Sequence, residues 1–236
     1  KLFFHKNADL MYRPKINFFQ QYLKFGTEIS NVDCGLKCLV NNPSRKPYCC
    51  DICEAIPVAY DQEWNYLKKN TDLWHVWSGT ECSAKPEDIQ EIEDGVANYQ
   101  ILLACKGPTF CQREFRAISC RQFPFFPYIS TDYRFIGMVY EWHFESKCWV
   151  INNLNLVSDQ YRSEFVVFYD ELFSIWPDEI ESYANHSEQL RIAFVQTKRR
   201  IPVLHRNGGY YLMSPKSEKL YRADPLNFLK HGVYNV

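Results

Sequence analysis

The chain has 236 residues, of which 46% are hydrophobic and 17% aromatic, and this composition excludes a disordered or low-complexity protein. The 27 basic and 28 acidic residues give a net charge of −1, which argues against nucleic acid or an acidic membrane surface as a partner. The longest apolar runs are far shorter than a membrane span, and the first residues lack the pattern of a secretory signal. We therefore expect a cytoplasmic protein, although the sequence leaves open whether an N-terminal segment has been removed.

The pattern of apolar residues predicts helices and short strands in the first half of the chain. A short amphipathic helix is expected around Phe18–Leu23, an extended piece at Ile56–Tyr60, and a second helix after the N-cap residue Asp61. Pro86 and the acidic residues that follow it predict a further helix over Lys85–Leu103, because acidic side chains near an N-terminus complement the helix dipole.

The second half of the chain predicts two hairpins. Phe135–Trp142 and Cys148–Asn152 have the composition of two paired strands. Ile201–His205 and Tyr210–Met213 flank a Gly-Gly pair, which is typical of a tight hairpin turn.

Two helices, 159–176 and 178–197, are predicted between these hairpins. The fold class is therefore α+β, with an irregular cysteine-rich domain, flanking helices and short β-hairpins. We divide the chain into an N-terminal segment (1–27), a cysteine-cluster metal-binding domain (28–155), and a helical and hairpin C-terminal part packed on it (156–236).

Eight of the ten cysteines lie in two short segments. They are Cys34, Cys38, Cys49, Cys50 and Cys53 in the first segment, and Cys105, Cys111 and Cys120 in the second. Clustered thiolates select zinc, copper(I) or iron–sulfur clusters over hard cations. Disulfides are the alternative. The close spacings and the adjacent pair Cys49-Cys50, whose geometry disfavours a mutual bond, favour metal ligands.

Several other side chains are weaker candidates. Arg121 lies beside Cys120, and its charge would offset that of nearby thiolates, so we predict a cofactor-binding role for it. Arg113 and Arg116 are interpreted as surface residues. His75 is a weak candidate ligand between two tryptophans.

Two further residues admit both a site role and an ordinary one. Glu63 is interpreted either as a residue that orients or binds a ligand or as a solvated helix glutamate. Cys148, within a predicted strand, is more typical of a buried thiol than of a ligand.

The stretch Arg116–Pro124, RAISCRQFP, resembles the R-P-x-x-C-R-x-F-P signature of the YkgJ-like cysteine-cluster family. That family is described as zinc- or iron-chelating and includes flagellin lysine-N-methylase-like members. The adjacent Cys49-Cys50, followed by an apolar piece and Glu63, is similar to the same family. The resemblance covers about Cys34 to Pro127, and Ala117 stands where the family has proline.

Three hypotheses follow. The first is a metal-binding protein that holds an iron–sulfur cluster, of the 4Fe–4S type, or zinc through the eight clustered cysteines. The second, implied by the resemblance, is a protein-modifying enzyme that transfers methyl from S-adenosylmethionine to lysine of a protein substrate. The third is a disulfide-stabilised extracellular protein. No nucleotide-binding or nucleophile-elbow motif is present, and the sequence leaves the oligomeric state open.

Overall fold

The computed structural model describes residues 14–82 and 85–235, and the first 13 residues of the predicted N-terminal segment lie outside this description. The described chain combines α-helices with antiparallel strands, which confirms the α+β class. The helices are α1 (Phe18–Lys24), α2 (Cys34–Leu39), α3 (Asp61–Asn70), α4 (Pro86–Asp94), α5 (Ile118–Gln122), α6 (Asp159–Ile175) and α7 (Asp178–Gln196). The strands are β1 (Val58–Tyr60), β2 (Trp74–Val76), β3 (Gln100–Cys105), β4 (Phe125–Ile129), β5 (Phe135–Tyr140), β6 (Ile201–His205), β7 (Tyr210–Met213) and β8 (Leu220–Arg222).

The strands form two antiparallel sheets. The smaller sheet has the order β1-β3-β2, so that β3 is central and pairs with both neighbours. The larger sheet has the order β4-β5-β6-β7-β8. It combines two strands from the predicted cysteine domain with three from the predicted C-terminal part, so the boundary at residue 155 runs through one sheet.

Aromatic side chains of α6 form one part of the core. Ser158 caps this helix by accepting a hydrogen bond from the N–H of Tyr161. Phe165 and Phe168 then face inward, and the ring of Phe25, just after α1, packs against them with centroid distances of 6.0 and 5.7 Å. These contacts hold the end of α1 against α6, which lies far along the chain.

The two long helices and the second hairpin are confirmed at nearly the predicted bounds. α7 begins with three acidic residues in its first turn and packs on β4, where the Ser187 hydroxyl accepts a hydrogen bond from the N–H of Ile129 at 3.0 Å. β6 and β7 pair around Gly208 and Gly209, which both have positive φ, the conformation that glycine favours in such turns.

The first predicted hairpin is wrong in its second strand. β5 pairs with β4 on one side and with β6 on the other, whereas the chain after Cys148 forms consecutive 3-10 turns. The Asn152 side chain donates to the carbonyls of Glu145 and Cys148 at 2.7 and 2.9 Å. Asparagine side chains compete with strand pairing in this way, because they offer the backbone local partners.

The predicted helix over Lys85–Leu103 is also too long. α4 ends at Asp94, and Gly95 follows as its C-cap residue. Glycine is a poor helix former, and the chain beyond it forms β3, where Leu103 and Ala104 are buried in the smaller sheet. Among the described residues, none of the helices has the length and apolar character that a membrane crossing requires.

Candidate functional site

Eight cysteines have free thiols and interact electrostatically with one another, and we call them the thiol cluster. They are Cys34, Cys38, Cys49, Cys50, Cys105, Cys111, Cys120 and Cys148. α2, a 3-10 turn at Tyr48–Cys50, the end of β3 and α5 carry six of them. The fold therefore brings both cysteine segments of the sequence, together with one later cysteine, to the same region.

Cys49 and Cys50 form an unequal pair, with their sulfur atoms 4.0 Å apart. The hydrogen bond that the two thiols share lowers the pKa of Cys50, and the charge of Arg116 lowers it further. The same hydrogen bond, together with burial, raises the pKa of Cys49. The proton therefore stays on Cys49, and Cys50 is the thiol that ionises first.

Cys38 and Cys148 form a second pair of the same kind. The Cys148 thiol donates a hydrogen bond to Cys38 and lowers the pKa of Cys38 to about 7. The backbone N–H of Trp149 adds a second hydrogen bond to the Cys38 sulfur at 3.2 Å. Burial raises the pKa of Cys148, so that Cys38 carries the charge and Cys148 the proton.

Burial keeps three other cluster members protonated. It raises the pKa of Cys34 to about 11, and it also raises the pKa values of Cys105 and Cys120. A thiolate reacts as a nucleophile whereas a thiol does not, so these three cysteines are the less reactive members of the cluster.

Arg116 is the cation that faces the cluster. Its Nε donates to the Cys111 sulfur at 3.4 Å, and its Nη1 lies 3.3 Å from the Glu28 carboxylate. The sequence analysis assigned Arg116 to the surface, but only a quarter or so of its side chain is exposed (27%). Arg113 binds Glu28 at 2.8 Å and also approaches Asp33, so its partners are both carboxylates.

A partly open groove of about 190 Å³ reaches the cluster from the surface. Its lining includes Cys49 and Cys120, the apolar side chains of Pro57 and Phe123, and the carboxylate-bearing Glu141. A molecule in this groove would contact Cys49 and Cys120, and through Cys49 it would lie next to the Cys49–Cys50 pair.

Glu63 fixes the position of the helix that carries Cys120. Its carboxylate is fully buried and accepts hydrogen bonds from the Tyr22 hydroxyl and the N–H of Ile118, both at 2.7 Å. A third bond comes from the N–H of Tyr60 at 3.3 Å. Desolvation nevertheless dominates and raises the pKa of Glu63 to about 7. The interpretation as a solvated helix glutamate is therefore wrong.

The guanidinium of Arg121 is hydrogen-bonded to backbone carbonyls. Its guanidinium donates to the carbonyls of Phe25, Arg116 and Glu114 at 2.5, 3.0 and 2.8 Å and lies over the Tyr22 ring at 4.5 Å. These contacts hold the end of α1 against the loop before α5. The cofactor-binding role stays a prediction, and the observed contacts are structural.

Cys53 and Cys82 form a disulfide, with their Cα atoms 5.3 Å apart. Cys53 was predicted to be a metal ligand and Cys82 was given no role, because the spacing of the cysteines offers no signal for this pairing. The weak candidate His75 lies on β2 near this disulfide, with its Nε2 3.1 Å from the Glu81 carboxylate.

The predicted metal-binding function is wrong. Within residues 14–82 and 85–235, no group of three or more His, Cys, Asp or Glu side chains is arranged so that it could hold a metal ion. Cys53 is consumed by the disulfide, and Cys38 is paired with Cys148. The cysteines predicted as ligands, Cys34, Cys38, Cys49, Cys50, Cys53, Cys105, Cys111 and Cys120, are near neighbours but supply no such group.

No family model, no curated protein and no solved structure matches this chain. The resemblance to the YkgJ-like family therefore stays a prediction, as does the use of S-adenosylmethionine. What the site can do must be argued from its own geometry.

The raised pKa of Glu63 predicts a specific pH dependence of stability. Because the folded protein binds this proton more tightly than the unfolded chain, the contribution of Glu63 is fully present below its ordinary pKa of 4.5 and is lost as the pH rises to about 7. The loss is on the order of 3 kcal/mol. The free energy of unfolding can be measured by denaturant titration for the wild type and for Glu63→Gln. The difference between the two proteins should change with pH across this range.

Glu87→Gln is the control for that experiment, because Glu87 is exposed on α4. This variant should keep the pH dependence of the unfolding free energy that Glu63 produces in the wild type. If the unfolding free energies of the wild type and Glu63→Gln change in parallel between pH 4.5 and 7, the assignment of the proton to Glu63 is contradicted.

Proposed function

We propose that the protein is a thiol–disulfide redox protein, in which Cys50 is the attacking thiolate. The observation that carries the proposal is the unequal Cys49–Cys50 pair, whose sulfur atoms are 4.0 Å apart and whose member Cys49 lines the groove. Thiol–disulfide exchange requires a thiolate that is accessible and has a pKa near or below that of an ordinary cysteine. Cys50 is half-buried, and the pKa of Cys50 is lowered by its hydrogen bond with Cys49.

The reaction begins when the Cys50 thiolate attacks one sulfur of an external disulfide. The external sulfur–sulfur bond breaks, one half leaves as a thiolate, and the other half remains bonded to Cys50. A second thiol of the cluster then loses its proton, attacks the Cys50 sulfur and releases the second half as a thiolate. The external disulfide is thereby reduced, and one pair of cluster thiols is oxidised to a disulfide.

The surroundings of Cys50 favour both steps. Arg116 lowers the pKa of Cys50 through its positive charge, which also stabilises the negative charge that moves between sulfur atoms. Cys105 and Cys120 are protonated and interact electrostatically with Cys50. Either of them can therefore serve as the second thiol that attacks the Cys50 sulfur. The groove, with apolar walls and a carboxylate at Glu141, suits a small disulfide or the side chain of an extended peptide.

One observation favours the third hypothesis, a disulfide-stabilised protein. The Cys53–Cys82 bond closes a loop with a sequence separation of 29 residues. A closed loop of that size restricts the unfolded chain and contributes about 3–4 kcal/mol in the chain-entropy model. The two proposals are compatible, because the disulfide leaves the eight cluster thiols free for exchange. The methyl-transfer hypothesis stays a prediction that neither the fold nor the comparisons test.

Replacement of Cys50 tests the redox proposal directly. Cys50→Ser should slow the fast phase of reaction with a chromogenic aromatic disulfide by about tenfold or more, because Cys50 is the more exposed of the two thiols whose pKa is lowered, the other being the buried Cys38. Stopped-flow absorbance of the released aromatic thiolate measures the rate. Cys34→Ser is the matched control, since Cys34 is equally half-buried but has a raised pKa. Equal fast phases in wild type and Cys50→Ser would refute the proposal.

Arg116 and Arg113 offer a second, electrostatic test. Both bind Glu28, but only Arg116 donates to a cluster sulfur. Arg116→Gln should raise the pH at which Cys50 is half-alkylated at a fixed time by about 1 pH unit, since a nearby cation favours the thiolate. Arg113→Gln should leave that pH unchanged. Peptide mass spectrometry after timed alkylation locates the label, and an unchanged profile in Arg116→Gln would contradict the role given to this charge.

A further inference from the structure

Cys38 is a buried cysteine whose sulfur is surrounded by hydrogen-bond donors. The N–H of Trp149 donates to this sulfur at 3.2 Å. Cys148, the residue before Trp149, is buried as well and is hydrogen-bonded to Cys38. The two cysteines therefore lie side by side beneath the surface, and the donors favour the thiolate form of Cys38.

A surface segment, residues 231–235, packs beside this pair, and we call it the strap. It contains a 3-10 turn at Gly232–Tyr234. The N–H of His231 donates to the Asn152 side chain at 2.6 Å, and the same side chain donates to the carbonyl of Cys148 at 2.9 Å. One asparagine therefore joins the beginning of the strap to the backbone of Cys148.

The other end of the strap is held by Tyr234. Its hydroxyl donates to the carbonyl of Lys147 at 3.2 Å, accepts from the Asn41 side chain at 3.4 Å and is hydrogen-bonded to the Cys38 thiol. Lys147 immediately precedes Cys148 in the chain. Asn41 lies three residues after Cys38. The Tyr234 hydroxyl therefore lies between the two chain segments that carry the pair, and it contacts the Cys38 sulfur itself.

Gly232 lets the strap approach the loop that leads to Cys148. Its φ is +57°, and a Cβ atom at this position would lie 2.9 Å from the carbonyl oxygen of Ser146 and 2.8 Å from its Cβ atom. Glycine allows both this conformation and this close approach. A side chain at position 232 would therefore push the strap away from the loop.

Much of the strap faces solvent. Gly232, Val233 and Asn235 are exposed, whereas Tyr234 is half-buried. Segments with few buried contacts open locally at a free energy below that of global unfolding. Opening of the strap would uncover the Cys38 sulfur while the rest of the protein stays folded.

We propose that Cys38 is a second thiol for disulfide exchange and that the strap controls access to it. In the closed form, Tyr234 covers the Cys38 sulfur, and Cys50 is the thiolate that external disulfides meet. In the open form, Cys38 reacts as well. The inference goes beyond the proposed function, because it assigns exchange to a different pair of thiols and gives that pair a gate.

The oxidant in this reaction is a small external disulfide. The Cys38 thiolate attacks one of its sulfur atoms, the external sulfur–sulfur bond breaks, and one half leaves as a thiolate while the other half stays bonded to Cys38. Cys148 then loses its proton to solvent, attacks the Cys38 sulfur and releases the second half as a thiolate. The pair ends as a Cys38–Cys148 disulfide, and its two electrons have reduced the external disulfide.

Timed reaction with bis(2-hydroxyethyl) disulfide, a small neutral probe, tests the gate. The full chain is mixed with the probe at neutral pH, quenched in acid, denatured, alkylated with N-ethylmaleimide and digested. Tandem mass spectrometry measures the fraction of Cys38 that has reacted, as a mixed disulfide or as a Cys38–Cys148 link. Gly232→Ala should raise this fraction about tenfold at an early time, because the added Cβ atom favours the open strap.

Gly208→Ala is the matched control. Gly208 also has a positive φ, +89°, but a Cβ atom there meets no atom within 4 Å. Its reacted fraction of Cys38 should equal that of the wild type. Tyr234→Ala is the second variant, and it should also raise the fraction, since it removes the side chain that contacts the Cys38 sulfur.

Two results would overturn the inference. Equal reacted fractions of Cys38 in the wild type, Gly232→Ala and Gly208→Ala would show that the strap does not control access. An unreacted Cys38 in every protein would show that this thiol does not exchange. If Gly232→Ala fails to fold, Tyr234→Ala decides by the same comparison. The reaction of Cys50 is measured in the same digests, so failure of the gate and failure of the proposed function give different results.

Discussion

The buried carboxylate of Glu63 is the contact on which the geometry around the thiols depends. It joins the Tyr22 hydroxyl of α1, the N–H of Tyr60 at the end of β1 and the first N–H of α5, at Ile118. A buried N–H without a partner is costly, so this carboxylate allows a short helix to begin inside the protein. The other end of α5 is held by the Tyr161 hydroxyl, which donates to the carbonyls of Arg121 and Gln122 at 3.0 Å. Cys120 is thereby fixed between two anchored ends.

The same physical rule governs both paired thiols. Where two sulfur atoms share one proton, the donor becomes a weaker acid and the acceptor a stronger one, so the pair separates into a thiol and a thiolate. This makes Cys50 and Cys38 the members that ionise first, and Cys49 and Cys148 the members that keep their protons longer. Arg116 supplies the compensating charge on the Cys50 side, whereas backbone and side-chain donors do so for Cys38. The two pairs differ in their access to solvent, because Cys49 lines the groove whereas Cys38 is buried.

The sequence predicted those parts of the fold whose signals are local. Helices α6 and α7 have apolar faces and are separated at Pro177, and the hairpin around Gly208-Gly209 has a turn that glycine specifies. The second strand of the first hairpin was mispredicted because CWVIN has strand composition, while the Asn152 side chain determines a turn through contacts that composition does not reveal. The two cysteine segments were predicted to meet at a metal centre, but among the described residues no group of three or more His, Cys, Asp or Glu side chains could hold a metal ion.

The pairing of individual cysteines could not be predicted from their spacing in the sequence. Cys82 lies far from Cys53 in sequence and outside both clusters, so their bond follows from the tertiary fold alone. Arg116 and Arg113 look alike in the sequence, and only the direction of the Arg116 side chain toward Cys111 distinguishes them. Glu63 sits on a helix that appears amphipathic, and its burial depends on α1 and α5 packing over it.

The equilibrium number of free thiols distinguishes a thiol–disulfide redox protein from one whose cysteines do not exchange. Protein purified without reductant should show eight alkylatable thiols after denaturation. Equilibration of the native protein with glutathione disulfide should lower this number by one pair without leaving glutathione bound, and added glutathione should restore it. A count that stays at eight across the whole range of glutathione ratios would contradict a thiol–disulfide redox function.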